Sequence, residues 1–433
     1  MNIQSRIGHQ VEAEFAIRRE CLSRVSSIYR SVLSVQEIAT DMTLKWLSGA
    51  ILFGFLVTFS TWMNTPLTTV RAVEDGTYLC WPFFQNCKGL IFLSSFPDGY
   101  SQTVVYMVLF GLMGGASYAI YLGRWAYVHL AILILFLAKM YFVLINYELK
   151  ANFDYYHNLF CFVYLFCPHK KFFSQLGLVI FYFLSTAGKI HPSWVLGQYF
   201  TALKEGLPIF PFGTEALMTN LVIAMEMVGS WFLFSKNTLV QRSVFAFFVV
   251  FHLYSGTLVG YRYPSTVMPP LLILFGPWFK APERVPIDRT SVPGWLVISS
   301  LIFLQLIPHM IKGDEKLTME GNFYGLYMFE ANHQCYGSIS RDGKPVWTFA
   351  EVDALSRCDP YNLWFRAKHW YCKGSSAKYK MVLNHSINGG PFREVVNEPD
   401  LCALEYRPFS RNSWIKDEKE APAVARPVQN FFR

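Results

Sequence analysis

Apolar runs of about twenty residues, each nearly free of charge, recur along the first three quarters of the chain and give way near residue 312 to short stretches of alternating polarity. Wound as helix, each long run covers the roughly 30 Å of a bilayer's hydrocarbon. The pattern predicts spans over 43–62, 102–121, 125–146, 173–189, 215–235, 239–260 and 292–311, with shorter ones over 153–167 and 264–279. The two short runs also suit buried or re-entrant helices. Nine crossings, an odd number, place the termini on opposite sides of the membrane. Ahead of them, residues 1–40 set apolar positions at helical spacing beside arginines, which predicts an amphipathic helix on the inner surface and no cleavable leader. Beyond them, "QCYGSISRDGKPVWTF" and "MVLNHSINGGPFREVV" each read as strand, tight turn, strand. The expected architecture is an α-helical polytopic membrane bundle over 41–311, a small β-rich exoplasmic domain over 312–410 and an extended tail over 411–433.

Composition agrees: 53% hydrophobic and 17% aromatic residues in 433 are too apolar for an ordinary soluble protein. The cations add an orientation. Arg18, Arg19, Arg24, Arg30, Arg124, Lys170, Lys171, Lys236, Arg242, Lys280, Arg284 and Arg289 fall on one side of the predicted spans. The other side holds Arg71, Lys88, Lys150, Lys204 and Arg262 in its short loops. Because Lys and Arg accumulate in cytoplasmic loops, the N-terminus is expected inside and residues 312–433 outside. The net charge of +8 is accounted for by this bias and by anionic headgroups, so the lipid bilayer is the expected partner and nucleic acid is not. Cys80 and Cys87 lie in the first outer loop, and Cys335, Cys358, Cys372 and Cys402 in the outer region, where disulfides form. Three bridges among six cysteines allow fifteen connectivities, which spacing does not resolve. There is no CxxC pair, so no metal site is expected.

Ionisable side chains inside spans are costly and mark candidate functional positions. Five stand out: Lys139, His157, Lys189, Glu226 and His252. With the N-terminus inside, all five fall at or outward of the membrane midplane. Each also has a plain structural account: Lys189 as a lysine snorkelling to the outer headgroups, His157 beside Tyr155 and Tyr156 as an interface residue, His252 as an interhelical hydrogen bond, Glu226 and Lys139 as a mutual ion pair. Their clustering points to proton abstraction in a site opening outward, since a lysine held out of water among aromatics can act as a neutral amine base and histidines can relay protons.

The segment "AGKIHPSWVLG", with Lys189 five residues before Trp194 and Gly197 three after it, resembles the lysine-bearing segment of the vitamin K-dependent γ-glutamyl carboxylases and their shorter bacterial relatives, which share a membrane core called HTTM. In order along the chain, "NFDYYHNLF", "FHLYSGTLVGYRYPSTVMPPLLILFGPWF", "NFYGLYMFEANHQCYGSISRDGKPVW" and "SINGGPFREVVNEPDL" resemble further segments of that family, over most of residues 41–402. The resemblance implies that Lys189 is the base that deprotonates reduced vitamin K, that His157 assists carboxylation, and that His252, Trp194 and Tyr261 line the quinone pocket. It implies O2 and CO2 as co-substrates: the deprotonated hydroquinone reacts with O2, the basic product removes a γ-proton from a peptide glutamate, the carbanion captures CO2 and the vitamin leaves as epoxide. It implies an isoprenoid quinone and a Glu-containing protein or peptide as partners, and a bridge from Cys80 or Cys87 to the outer domain. A bacterial inner membrane is the expected location, or the endoplasmic reticulum membrane in a eukaryote. The chain departs from the animal enzymes in its short outer part and in having "STAGK" where they carry two adjacent lysines. The rival reading is a bundle that binds or moves a lipid or quinone without catalysis, with Lys189 and Glu226 as structural or coupling charges. Transporters of that kind carry inverted repeats with broken helices, and only the short spans 153–167 and 264–279 correspond.

Overall fold

A computed structural model describes residues 33–425 apart from 76, 94–99, 150, 199–206, 278, 280–284, 314, 327–331 and 351–357. The expected surface helix lies mostly outside the described residues. A helix forms at each of the nine predicted positions: α1 Met42–Trp62, α2 Tyr100–Tyr121, α3 Trp125–Ile145, α4 Asn152–Phe166, α5 Lys170–Ala187, α6 Glu215–Met227, α7 Thr238–Val259, α8 Arg262–Phe275 and α9 Val292–Met310. Among the described residues five are long and apolar enough to cross a membrane: α1, α2, α3, α7, and α9 with the turn before it. The other four fall short, and packing explains three of them. Helix α5 is buried on almost every face from Phe173 to Leu184, and α4 and α8 bury most of theirs against it and against α1. Helices walled in by protein need no continuous apolar surface, so they can be short and carry polar groups. The run predicted over 215–235 is broken: α6 stops at Met227, and a 3-10 segment continues over Gly229–Phe234.

Helix ends are satisfied from outside the helix they close. The Glu37 carboxylate accepts the His169 and Lys170 amides at the start of α5, and Asp41 caps α1 through the Thr43 and Leu44 amides. At the buried end of α8, Gln175 and Gln241 donate to the Leu274 and Phe275 carbonyls. Helix α9 crosses α5 at Gly294, where a Cβ would lie 2.2 Å from the Phe173 ring, so only glycine permits the approach.

The C-terminal domain holds a five-stranded antiparallel sheet, with β1 His333–Arg341, β2 Lys344–Ala350, β3 Lys380–Ile387, β4 Phe392–Glu398 and β5 Ala423–Val424 in the order β2-β1-β3-β4-β5. Both predicted hairpins form, and Asp342-Gly343 and Asn388-Gly389 take the positive φ that tight hairpin turns require. The described part of the tail is not simply extended. It buries Asn412, Trp414 and Ile415 and ends as β5 on the sheet edge. A helix absent from the sequence reading, α10 Pro360–Ala367, lies between β2 and β3 and buries most of its residues.

Three disulfides close: Cys80–Cys87, Cys335–Cys358 and Cys372–Cys402. No bridge runs from the loop of Cys80 and Cys87 to the sheet domain, because these two, with Cα atoms 5.5 Å apart, close on each other. Hydrogen bonds join those two parts instead, from Tyr361 Oη to the Cys80 carbonyl (2.6 Å) and from Gln85 Nε2 to the Tyr406 carbonyl (2.8 Å).

The tail docks on a buried acid. Glu320 Oε1 accepts from Asn412 N and Nδ2 at 2.7 and 2.8 Å, and burial pushes its pKa up from 4.5 to about 7. A raised carboxyl pKa means the folded state holds the proton while the unfolded state has lost it, so docking is strongest below pH 4.5 and weakens as pH rises through 7. Hydrogen exchange of the Asn412 amide is expected to slow between pH 7 and pH 5 after correction for intrinsic rates. Glu320→Gln should remove that dependence; a dependence that survives in the variant assigns it to another group.

Candidate functional site

Helix α5 ends at Ala187, and the chain turns so that the Lys189 amide donates to the Thr186 carbonyl. His191 then accepts the Ser193 amide at the start of a short helix, Pro192–Val195, with Pro192 in its first turn. This tight reversal carries Trp194 beneath Lys189, whose Nζ lies 5.5 Å from the ring centroid. Lys189 is 2% exposed and turned inward, so it does not snorkel. Its Nζ is 2.6 Å from Glu226 Oε2 on α6, the oxygen that also accepts from the Thr186 hydroxyl. A lysine, a carboxylate and a hydroxyl thus meet where α5 and α6 pack.

One turn back on α5, Tyr182 Oη is 2.6 Å from His252 Nε2 on α7. Aromatic rings enclose the pair: Tyr182 stacks on Phe248 at 4.3 Å, and the Tyr263 centroid on α8 lies 5.5 Å from that of His252. Tyr263 donates to Tyr156 Oη at 3.3 Å, and Tyr156 on α4 stacks on Phe181 at 4.3 Å. His252 is fully buried, and its Nδ1 meets no hydrogen-bond partner among the described residues. A buried polar atom left this way is an opening for a ligand's hydroxyl or carbonyl.

The remaining charges form a second cluster on the far side of α4. Lys139 Nζ on α3 lies 2.7 Å from Asp154 Oδ1, 2.9 Å from His157 Nδ1 and 3.4 Å from Thr58 Oγ1. His157 Nε2 is 2.9 Å from the Ile51 carbonyl. His157 therefore shares a helix with the Lys189 site but faces α1 and α3, while its neighbour Tyr156 faces α5 and α8.

The expected Lys139–Glu226 pair does not form. Each charge is answered by a nearer one, Lys139 by Asp154 and Glu226 by Lys189. Nor does Tyr261 join His252: it is 53% exposed at the α7–α8 turn, its ring lies over Gly256, and Tyr263 stands beside His252 instead. Sequence reading missed Asp154, Thr186, Tyr156, Tyr182 and Tyr263. Asp154 carried a usable signal, a carboxylate three residues before His157 inside a predicted span. The tyrosines carried none, because they look like the rest of an aromatic-rich bundle.

A cleft of about 470 Å³ lies between His191, Ser193 and Gln198 on one side and Lys316 and the β3–β4 turn at Asn388–Gly390 on the other. It gives the segment that follows Lys189 an opening toward the sheet domain. Comparison with protein-family models, curated proteins and solved structures finds no match for this chain.

Proposed function

We propose that this protein is an integral membrane enzyme of the vitamin K-dependent γ-carboxylase type, crossing the bilayer nine times with its N-terminus inside and its sheet domain outside. The observation that carries the reading is Lys189 buried against Glu226 beside an aromatic enclosure in which His252 keeps one ring nitrogen unmet. Reduced vitamin K, when bound, would supply with O2 the strong base that removes the γ-proton of a peptide glutamate, to which CO2 then adds.

The residues fit a hydroquinone. Its ring suits the enclosure of Tyr156, Tyr182, Tyr263 and Phe248, and one of its oxygens suits His252 Nδ1. Lys189 and Glu226 act as one proton acceptor. Written as ammonium and carboxylate or as amine and acid, the pair holds the same number of protons. Taking one more from a hydroxyl leaves it cationic beside the anion it has made, so charge stays balanced in a site that excludes water. Trp194 seals the outer side of that lysine, and the cleft beyond it is the route for a peptide. His157 contributes from the second cluster, on the same helix as Tyr156.

The test is incorporation of labelled CO2 into a Glu-rich peptide by the purified protein supplied with reduced vitamin K, with Lys189→Ala alongside. Incorporation that falls by about 10²–10⁴ in the variant, the usual contribution of a general base, supports the reading. No incorporation by the intact protein, with vitamin K binding retained, selects a non-enzymatic quinone- or lipid-binding bundle instead.

A further inference from the structure

We propose that Asp154 is a positioning residue which, acting through Lys139, fixes His157 as its Nε2–H tautomer and makes it a hydrogen-bond donor and not a proton acceptor. From the proposed function this takes only that His157 contributes to the reaction, and it restricts the form of that contribution.

An ammonium has three donors and no acceptor, so His157 Nδ1, 2.9 Å from Lys139 Nζ, must present its lone pair. A neutral ring then carries its proton on Nε2. That nitrogen faces the Ile51 carbonyl at 2.9 Å, a group that can only accept. The Cys161 thiol also lies 3.7 Å from Nε2, a longer and weaker contact than the Ile51 carbonyl, so both ends of the ring favour the same assignment. The reverse tautomer would set N–H against ammonium and lone pair against lone pair in a site where both partners are buried.

Asp154 keeps the ammonium where it is. The three hydrogens on Lys139 Nζ find Asp154 Oδ1, His157 Nδ1 and Thr58 Oγ1, and the Thr58 hydroxyl donates onward to Asp154 Oδ1 at 3.3 Å. The ring has little room to turn over: a Cβ on Gly54 would lie 2.3 Å from its Cδ2, and Phe55 meets it edge-on at 4.5 Å. With both nitrogens engaged, His157 can offer a ligand only its Nε2–H, by exchanging the Ile51 carbonyl for it.

The experiment is nitrogen NMR of the full-length protein labelled with ¹⁵N-histidine in phosphatidylcholine nanodiscs, with His157→Gln to assign the signal. The expected spectrum shows His157 with a protonated Nε2 and a bare Nδ1. Asp154→Asn should bring in the other tautomer at roughly a tenth or more of the signal, and Asp154→Glu, which restores the charge, should return it toward one form. A protonated Nδ1 in the unaltered protein, or a spectrum unchanged in Asp154→Asn, overturns the proposal. Should Asp154→Asn fail to fold, Thr58→Val, which keeps both charges and removes the third contact, is expected to show the same second tautomer to a smaller extent; its absence there also overturns the proposal. The readout needs no CO2 fixation, so an inactive protein with this tautomer would sink the functional reading alone.

Discussion

Glu226→Leu is expected to destabilise the protein by about 3–5 kcal/mol, the usual penalty for stranding one charge of a buried pair. Lys189 is 2% exposed and has its carboxylate at 2.6 Å, so the substitution leaves an ammonium with no water and no counter-ion. Thr186 suffers less, because its single hydroxyl hydrogen can turn to the Tyr182 carbonyl at 2.9 Å once the carboxylate is gone. The double replacement Lys189→Met with Glu226→Leu removes both charges and fills similar volume. It should recover most of the loss, since well-packed apolar pairs often equal or exceed buried ion pairs in stability. Activity should separate from stability here, with the single and the double variant equally inactive in CO2 incorporation. Thermal unfolding in one fixed detergent, alongside the labelled-CO2 assay, reads both. A single variant that loses under about 1 kcal/mol would mean that Lys189 reaches water and is no buried base.

The second large effect concerns which charges are partners. Asp154→Ala is expected to cost about 3–5 kcal/mol, because Lys139 is wholly buried and the carboxylate answers it at 2.7 Å. In a double-mutant cycle, Lys139→Met and Asp154→Ala should show a coupling of about 1–3 kcal/mol, whereas Lys139→Met and Glu226→Leu should add within about 0.5 kcal/mol. The two pairs share no hydrogen-bond partner, which is why additivity is expected between them. Strong coupling between Lys139 and Glu226 would restore the ion pair that was their plain structural account and remove Asp154 from its place beside Lys139.

These pairings mark the boundary between what was legible along the chain and what was not. Apolar run length and period located a helix at each of the nine predicted positions, five of them long and apolar enough to cross a membrane, because a helix facing lipid must be apolar along its length. Asp342-Gly343 and Asn388-Gly389 announced both hairpins, because few residues accept the backbone those turns need. Cys80, Cys87, Cys335, Cys358, Cys372 and Cys402 were legible as bridged, and Lys189 as a charge in an apolar setting. The rotation of each helix about its own axis was not legible. A segment apolar all round has no preferred face, so nothing local directs Tyr156 toward α5 and His157 toward α1. Hydropathy did set α5 apart from α7 and α9, but it could not say which helices would wall α5 in. The partners of the buried charges, the nearness of Tyr263 and not Tyr261 to His252, and the closing of Cys80 on Cys87 depend on distances between segments far apart or on the turn between them. Local composition determined which elements exist, whereas burial acting on the assembled bundle decided which side chains meet, because an unpaired charge or polar atom inside it is too costly to leave alone.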